Sequence, residues 1–238
     1  MSSDGSPTRI LLVVDVQRSL FDPPNPVPGS TQILRTLEAA LARERAASPP
    51  TKVIWIRHGE DDDPDFAPNT TPWEIVQTEL FRIQENEVIV DKTTPDSFHK
   101  TSLASHIETA GFDPQSLQLV IMGLQSDYCI QATARSAIAR YPSARVSLVH
   151  GAHGTYNDEK NGRSAEEVSE QIEKELKDEG VIIEDSFTEV IRHTGLLQHL
   201  GEAKGPDTVG ERQQAGKSGA NKCADTERTP TVTLKPGV

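Results

Sequence analysis

"LQLVIMGLQSDYCIQATARSAIAR", residues 117–140, decides how the chain is read. An apolar run, Leu117–Gly123, passes almost without spacer into a helix-forming segment that carries Cys129 in its opening. Runs of the same kind recur at 9–15 (RILLVVD), 52–57 (KVIWIR), 87–91 (EVIVD), 144–150 (ARVSLVH) and 180–184 (GVIIE). They are unbroken rather than alternating, as in strands buried on both faces of a parallel sheet. Helical patterns separate most of them. Ile33, Leu37 and Leu41 step by four along 31–47. Val168, Ile172 and Leu176 do the same along 164–180, which opens with the capping box Ser164/Glu167 and stops at Gly180. Segment 102–111 is a weaker helix. Strands alternating with helices predict an α/β domain: a six-stranded, mainly parallel, doubly wound sheet with helices on both faces.

From Gly201 onward the chain has no aromatic residue, no Ile and one Leu, so it cannot bury enough apolar surface to order its backbone. The expected organisation is a flexible start (1–8), one domain (9–200) and a disordered tail (201–238). The net charge of −12 argues against phosphate-backbone binding, which needs clustered Lys and Arg, so no nucleic-acid partner is expected. No stretch approaches the ~20 apolar residues that span a bilayer, and the polar opening "MSSDGSPTR" has no apolar signal core. Cys129 and Cys223 fall in the domain and the tail, which makes a disulfide between them unexpected and a reducing, cytoplasmic setting the default. No glycine-rich dinucleotide fingerprint follows the first strand, and no cofactor is expected. The insertion 58–86 is long and poorly periodic, a candidate lid over a site.

Ligands of open α/β sheets bind beyond the carboxyl ends of the strands. Asp15 ends the first run, Asp91 and Lys92 the third, and Cys129 follows the fourth. Singly, they read as a turn residue, a solvated charge and a small core residue. Together they form a set for acyl transfer. Ser126 and Asp127 are N-cap types, which places Cys129 in a first helical turn, where free N–H groups and the helix dipole lower a thiol's pKa below its ordinary ~8.5. Asp15 can shuttle a proton between thiol and leaving amine while Lys92 orients both by charge. A second pairing, of Cys129 with His150 or His153 after the fifth strand, is also conceivable.

The blocks "RILLVVDVQRSLF", "VDKTTPDSF" and "VIMGLQSDYCIQATARSAI", in this order, resemble the signature blocks of the isochorismatase-like cysteine hydrolases, and "GAHGTYND" (151–158) resembles the stretch beyond the cysteine. The resemblance covers about 9–190. That superfamily includes nicotinamidases, N-carbamoylsarcosine amidase, ureidoacrylate and biuret amidohydrolases, and streptothricin hydrolase. It implies Asp15 as general base, Lys92 as the lysine of the set and Cys129 as nucleophile. It also implies a cis peptide at Leu124–Gln125, with the Gln125 and Cys129 N–H groups as the oxyanion hole. Gln17 and Phe21 match positions that line or border the pocket in relatives, and His58, Glu60 and Trp73 are placed to shape specificity from the lid. Nicotinamidases of the family bind a metal through an Asp-x-His pair and a second His. Here His58 stands without that spacing, so no catalytic metal is expected. True isochorismatases cleave a vinyl ether without needing a thiol, so Cys129 points instead to a C–N bond in a small amide, ureide or lactam. Enol-ether hydrolysis and a non-catalytic binding protein are the alternatives. Relatives are often dimers or tetramers, which makes a homo-oligomer the expectation.

Overall fold

The six unbroken runs become the strands of a single sheet. The computed structural model describes residues 9–109 and 115–185. The expected flexible start, the tail 201–238 and Cys223 lie outside the described residues. Among those described, β1 (Arg9–Val14), β2 (Lys52–His58), β3 (Val88–Lys92), β4 (Gln118–Leu124), β5 (Arg145–Gly154) and β6 (Ile182–Glu184) pair in parallel in the order β3-β2-β1-β4-β5-β6. The chain adds β2 and β3 on one side of β1, then returns to add β4, β5 and β6 on the other. Strand order therefore reverses between β1 and β4, whose carboxyl ends open a crevice.

Each strand feeds two cores. On β1, Ile10, Leu12 and Val14 face helices α2 (Leu103–Glu108), α3 (Gln131–Arg140) and α4 (Ala165–Asp178). Leu11 and Val13 face α1 (Ser30–Ala46) and the irregular segment that follows β2. Burying each such side chain contributes roughly 1.5–3 kcal/mol, which explains why no polar residue interrupts the runs. Helix α1 runs to Ala46 and stops where Pro49 and Pro50 forbid another turn. At the start of α4 the capping box forms as the sequence predicts. The Glu167 N–H donates to Ser164 Oγ (3.2 Å), and the Ser164 N–H donates to Glu167 Oε2 (2.8 Å).

Two features depart from the expected pattern. Strand β5 continues four residues beyond His150, to Gly154. It does so through a bulge: Ile121 of β4 faces Leu148 and Gly123 faces His153, so β5 advances five residues while β4 advances two. The segment after β2 is not an open flap either. Ile75, Val76 and Phe81 are buried on the α1 side, and the Phe81 ring meets Trp55 edge-on at 5.0 Å.

Close approach governs the meeting of β1 and β4. Gly123 lies opposite Val14 with φ +125°, and a Cβ added there would sit 1.9 Å from the Val14 carbonyl oxygen. Only glycine fits both the dihedral and the gap.

Candidate active site

Beyond Val14 the chain turns at once. Asp15 adopts a left-handed conformation (φ 49°), which Asp tolerates better than most residues, and its N–H donates to the Ile56 carbonyl (2.9 Å). Lys92 ends β3, two strands away and so about 10 Å off by the spacing of strands. Its long side chain spans that distance. Lys92 Nζ lies 2.6 Å from Asp15 Oδ2 and donates to Cys129 Sγ at 3.1 Å. Asp15 and Lys92 are each 2 % exposed. The contact to Oδ2 is a buried ion pair, and the Asp15 carboxylate also faces the Cys129 thiol. Three residues that end three different strands thus meet at the β1/β4 crevice, as the strand-end reading expects.

Cys129 is held differently from the expectation. It lies in a π-helical turn, Ser126–Ile130, that precedes α3, and the extended residue before that turn is Gln125. The Tyr128 and Ile130 N–H groups both donate to the Gln125 carbonyl (3.2 and 3.0 Å). Ser126 does not cap the helix with its side chain. Its hydroxyl is buried against His153 Nδ1 (2.8 Å) and Ser169 Oγ (3.1 Å). Asp127 instead accepts a hydrogen bond from Thr155 Oγ1 (2.5 Å). The Leu124–Gln125 peptide is cis.

The charge state of the thiol is also the reverse of the expectation. Burial first, and then the Asp15 carboxylate, push the Cys129 thiol up to about 12, against the opposing pull of Lys92. Helix-terminus reasoning omitted both of the dominant causes. Burial works to lower Lys92, but Asp15 and Cys129 outweigh it and raise the ammonium above its ordinary value. The site therefore disfavours ionisation of the thiol, which sits beside the buried Asp15–Lys92 ion pair. Asp15 is the buried acidic side chain that faces both Lys92 and the Cys129 thiol.

The site opens into a cavity of about 430 Å³, at the small end of the ~300–1,000 Å³ typical of ligand pockets. The buried or half-buried Asp15, Leu20, Leu124, Gln125 and Cys129 line it, together with the exposed Thr93 and Pro95. The half-buried to exposed residues His58, Glu60, Phe66 and Tyr128 make the rim. Of the proposed specificity residues, His58 and Glu60 reach the cavity. Gln17, Phe21 and Trp73 are not among its lining residues. The buried Gln17 amide ties two loops together: Nε2 donates to the carbonyls of His58 and Trp73 (both 2.9 Å), and Oε1 accepts from the His58 N–H (2.8 Å). Phe21 packs on the α1-side core, and the Arg57 guanidinium covers the Trp73 ring at 3.3 Å. Thr93, Pro95 and Tyr128 went unread in the sequence, although each is within three residues of Lys92 or Cys129. Phe66, inside an aperiodic loop, gave no signal at all.

The histidine alternative does not form at this cavity. His153 is buried, with Nδ1 at Ser126 and Nε2 at Glu173 Oε1 (2.8 Å), and His150 Nδ1 meets the same carboxylate oxygen (2.8 Å). Both histidines line a separate cavity of about 530 Å³ beside α1 and α4. Among the described residues, no three His, Cys, Asp or Glu side chains are grouped to hold a metal ion, and no helix is long and apolar enough to cross a membrane.

Comparison with known proteins gives consistent matches. The isochorismatase domain family model matches residues 9–174. A streptothricin hydrolase of Streptomyces noursei is 34% identical over 151 residues, covering 63% of this chain and 56% of that protein. A second one from the same organism is 33% identical over 147 residues, covering 62% of this chain and 50% of that protein. The matches thus span about half the length of these relatives. Nicotinamidase 3 of Arabidopsis thaliana is 26% identical over 161 residues, covering 63% of this chain and 74% of its own. Two solved structures share the fold. A cysteine hydrolase from Pseudomonas syringae has a TM-score of 0.64 at 23% identity, covering 78% of this chain and 91% of that one. N-carbamoylsarcosine amidase from Thermoplasma acidophilum has a TM-score of 0.59 at 18% identity, covering 75% and 96%.

Proposed function

The chain belongs to the isochorismatase family, and from that premise we propose that it is a cysteine-dependent hydrolase of a C–N bond in a small amide, ureide or lactam. The observation that carries this reading is the bridging of Asp15 and Cys129 by Lys92 Nζ, at 2.6 and 3.1 Å, beside a cavity that Asp15 and Cys129 line. The streptothricin hydrolase and amidase names among its relatives support the same bond class.

Cys129 Sγ attacks the substrate carbonyl carbon while Asp15 takes its proton. The backbone N–H groups of Gln125 and Cys129 donate to the oxygen that becomes negative. When the tetrahedral adduct collapses, the C–N bond breaks and Asp15 returns the proton to the departing nitrogen. A thioester remains on Cys129. Asp15 then deprotonates a water that attacks the thioester carbonyl, and the proton it gains goes to the expelled sulfur as the acid is released. Lys92 stays charged throughout, offsetting the thiolate as it develops and holding Asp15 in place. A thiol pushed up to about 12 suits this cycle, because the proton moves only when substrate occupies the site.

Ammonia or amine release from a panel of small amides, ureides and lactams tests the reading. Cys129→Ala should abolish turnover, and Asp15→Ala should reduce it by a factor of about 10²–10⁴. Acid-quenched mass spectrometry should find an acyl group on Cys129. Isochorismate or another enol ether hydrolysed equally well by Cys129→Ala protein would replace this reading with the vinyl-ether one.

A further inference from the structure

The charges around the cavity are one-sided. Glu60 and Asp15 both line it, and no Lys or Arg is among the lining residues. Lys92 lies behind Asp15 and Cys129 and is committed to both. Arg57, at the end of β2, is paired with Asp91 (2.7 Å) and stacked on Trp73. Glu60 itself has one ion-pair partner among the described residues, His58 at 3.5 Å, and its side chain is 61% exposed.

The loop that presents Glu60 is built, not slack. The Glu60 N–H donates to the Phe66 carbonyl (3.0 Å), the Asp63 N–H to the Glu60 carbonyl (3.2 Å) and the Phe66 N–H to the Asp63 carbonyl (3.0 Å). The Asp65 N–H adds a bond to Asp63 Oδ1 (2.9 Å). These bonds hold Glu60 and Phe66 side by side at the cavity rim. Asp61, Asp62, Asp63 and Asp65 follow in the same loop but do not line the cavity, and none of them is ion-paired to Lys or Arg among the described residues. Phe66 is steadied edge-on by the His58 ring (5.3 Å), and Tyr128, 59% exposed, adds a second aromatic surface next to Cys129. Deeper in, Asp15 lines the same cavity.

Carboxylates and aromatic faces both attract cations, and an uncompensated acidic rim raises their local concentration. Resting on the hydrolase reading above, we propose that the substrate is a cationic amide. Its scissile carbonyl seats over Cys129, and a remote protonated amine or guanidinium is held by Glu60 between Phe66 and Tyr128. The charge pattern disfavours a carboxylate-bearing isostere, which would meet Glu60 directly.

Three matched probes test this: the primary amide of a straight-chain ω-amino acid, its ω-methyl counterpart and its ω-carboxylate counterpart. Ammonia release gives kcat/KM for each, and calorimetric titration of Cys129→Ala protein gives binding without turnover. The ammonium probe should exceed the methyl probe by about tenfold in both measurements, mostly through KM, with the margin shrinking at high salt. Glu60→Gln should bring the ratio close to one, whereas Asp178→Asn, which removes an equal charge from the far end of α4, should leave it unchanged. Equal values for ammonium and methyl probes, preference for the carboxylate, no binding of any probe, or a ratio untouched by Glu60→Gln would each overturn the inference. Cys129-dependent turnover that ignores the remote charge would remove this inference and keep the hydrolase reading. Ammonium-selective binding with no turnover of any amide would do the opposite.

Discussion

Asp15→Asn removes the negative charge that, after burial, does most to hold the Cys129 thiol near 12. With that value, at about pH 7.5 only roughly one molecule in thirty thousand carries a thiolate, since each pH unit below the pKa is tenfold. In the variant, burial still opposes ionisation, but the lysinium 3.1 Å from Sγ acts without the competing carboxylate. The thiol should therefore titrate at least one pH unit lower, giving tenfold or more thiolate near neutrality. Turnover should nonetheless fall by about 10²–10⁴, because the proton acceptor and donor is gone. More thiolate with less catalysis is the signature of a proton-shuttling carboxylate. Ultraviolet thiolate absorbance against pH, taken as the difference from Cys129→Ser protein to cancel Cys223, measures the first quantity. Ammonia release measures the second. A wild-type Cys129 that titrates below about pH 8, or an Asp15→Asn thiol that moves upward, would refute the neutral-thiol resting state.

Two further outcomes concern the scaffold. Burial alone would raise Glu44, but hydrogen bonds from Arg9 and Thr51 and the charges of Arg43 and Arg9 hold it below its ordinary 4.5. A lowered carboxyl contributes stability above its unfolded value, so urea denaturation should find Glu44→Gln weaker by about 3 kcal/mol near neutral pH. That deficit should narrow as pH falls from 4.5 through the folded value. At the end of β5, a Cβ on Gly154 would lie 2.3 Å from Ile33 Cδ1. Gly154→Ala should cost about 1–2 kcal/mol in thermal denaturation and recover on adding Ile33→Val, which deletes that atom; simple addition of the two losses would show that the contact is not the cause.

Much of this was legible in the sequence because it is local. Asp15, Lys92 and Cys129 each follow an apolar run that has little choice but to be a buried strand, and parallel strands deliver their ends to one edge. The α4 capping box is a four-residue interaction, and it formed as read. What failed depended on through-space neighbours. The polarity of the Cys129 thiol is set by Asp15, more than a hundred residues away, so helix-end reasoning reached the wrong sign. Ser126 is a good cap by type, yet a buried histidine from β5 claims its hydroxyl, and the bulge that brings His153 there has no sequence signature. Gln17 and Trp73 were placed near the pocket, where in fact their groups stitch loops together, because sequence order does not show which face of a loop turns inward. Periodicity gave no purchase on 58–86, and so Phe66 passed unseen.

The contact between Gly123 and Val14 constrains how such a protein can diversify. The carboxyl ends of β1 and β4 carry Asp15 and, through the turn, Cys129, and their separation is set by the absence of a single methyl group. Any side chain at 123 would drive into a carbonyl oxygen 1.9 Å away and wedge the two strands apart at the point of reaction. Variation is thus shut out of the crevice itself and left to the 60–66 loop, which hangs mostly on backbone bonds. That loop can be rewritten without touching the gap at Gly123, and so without moving Asp15 relative to Cys129.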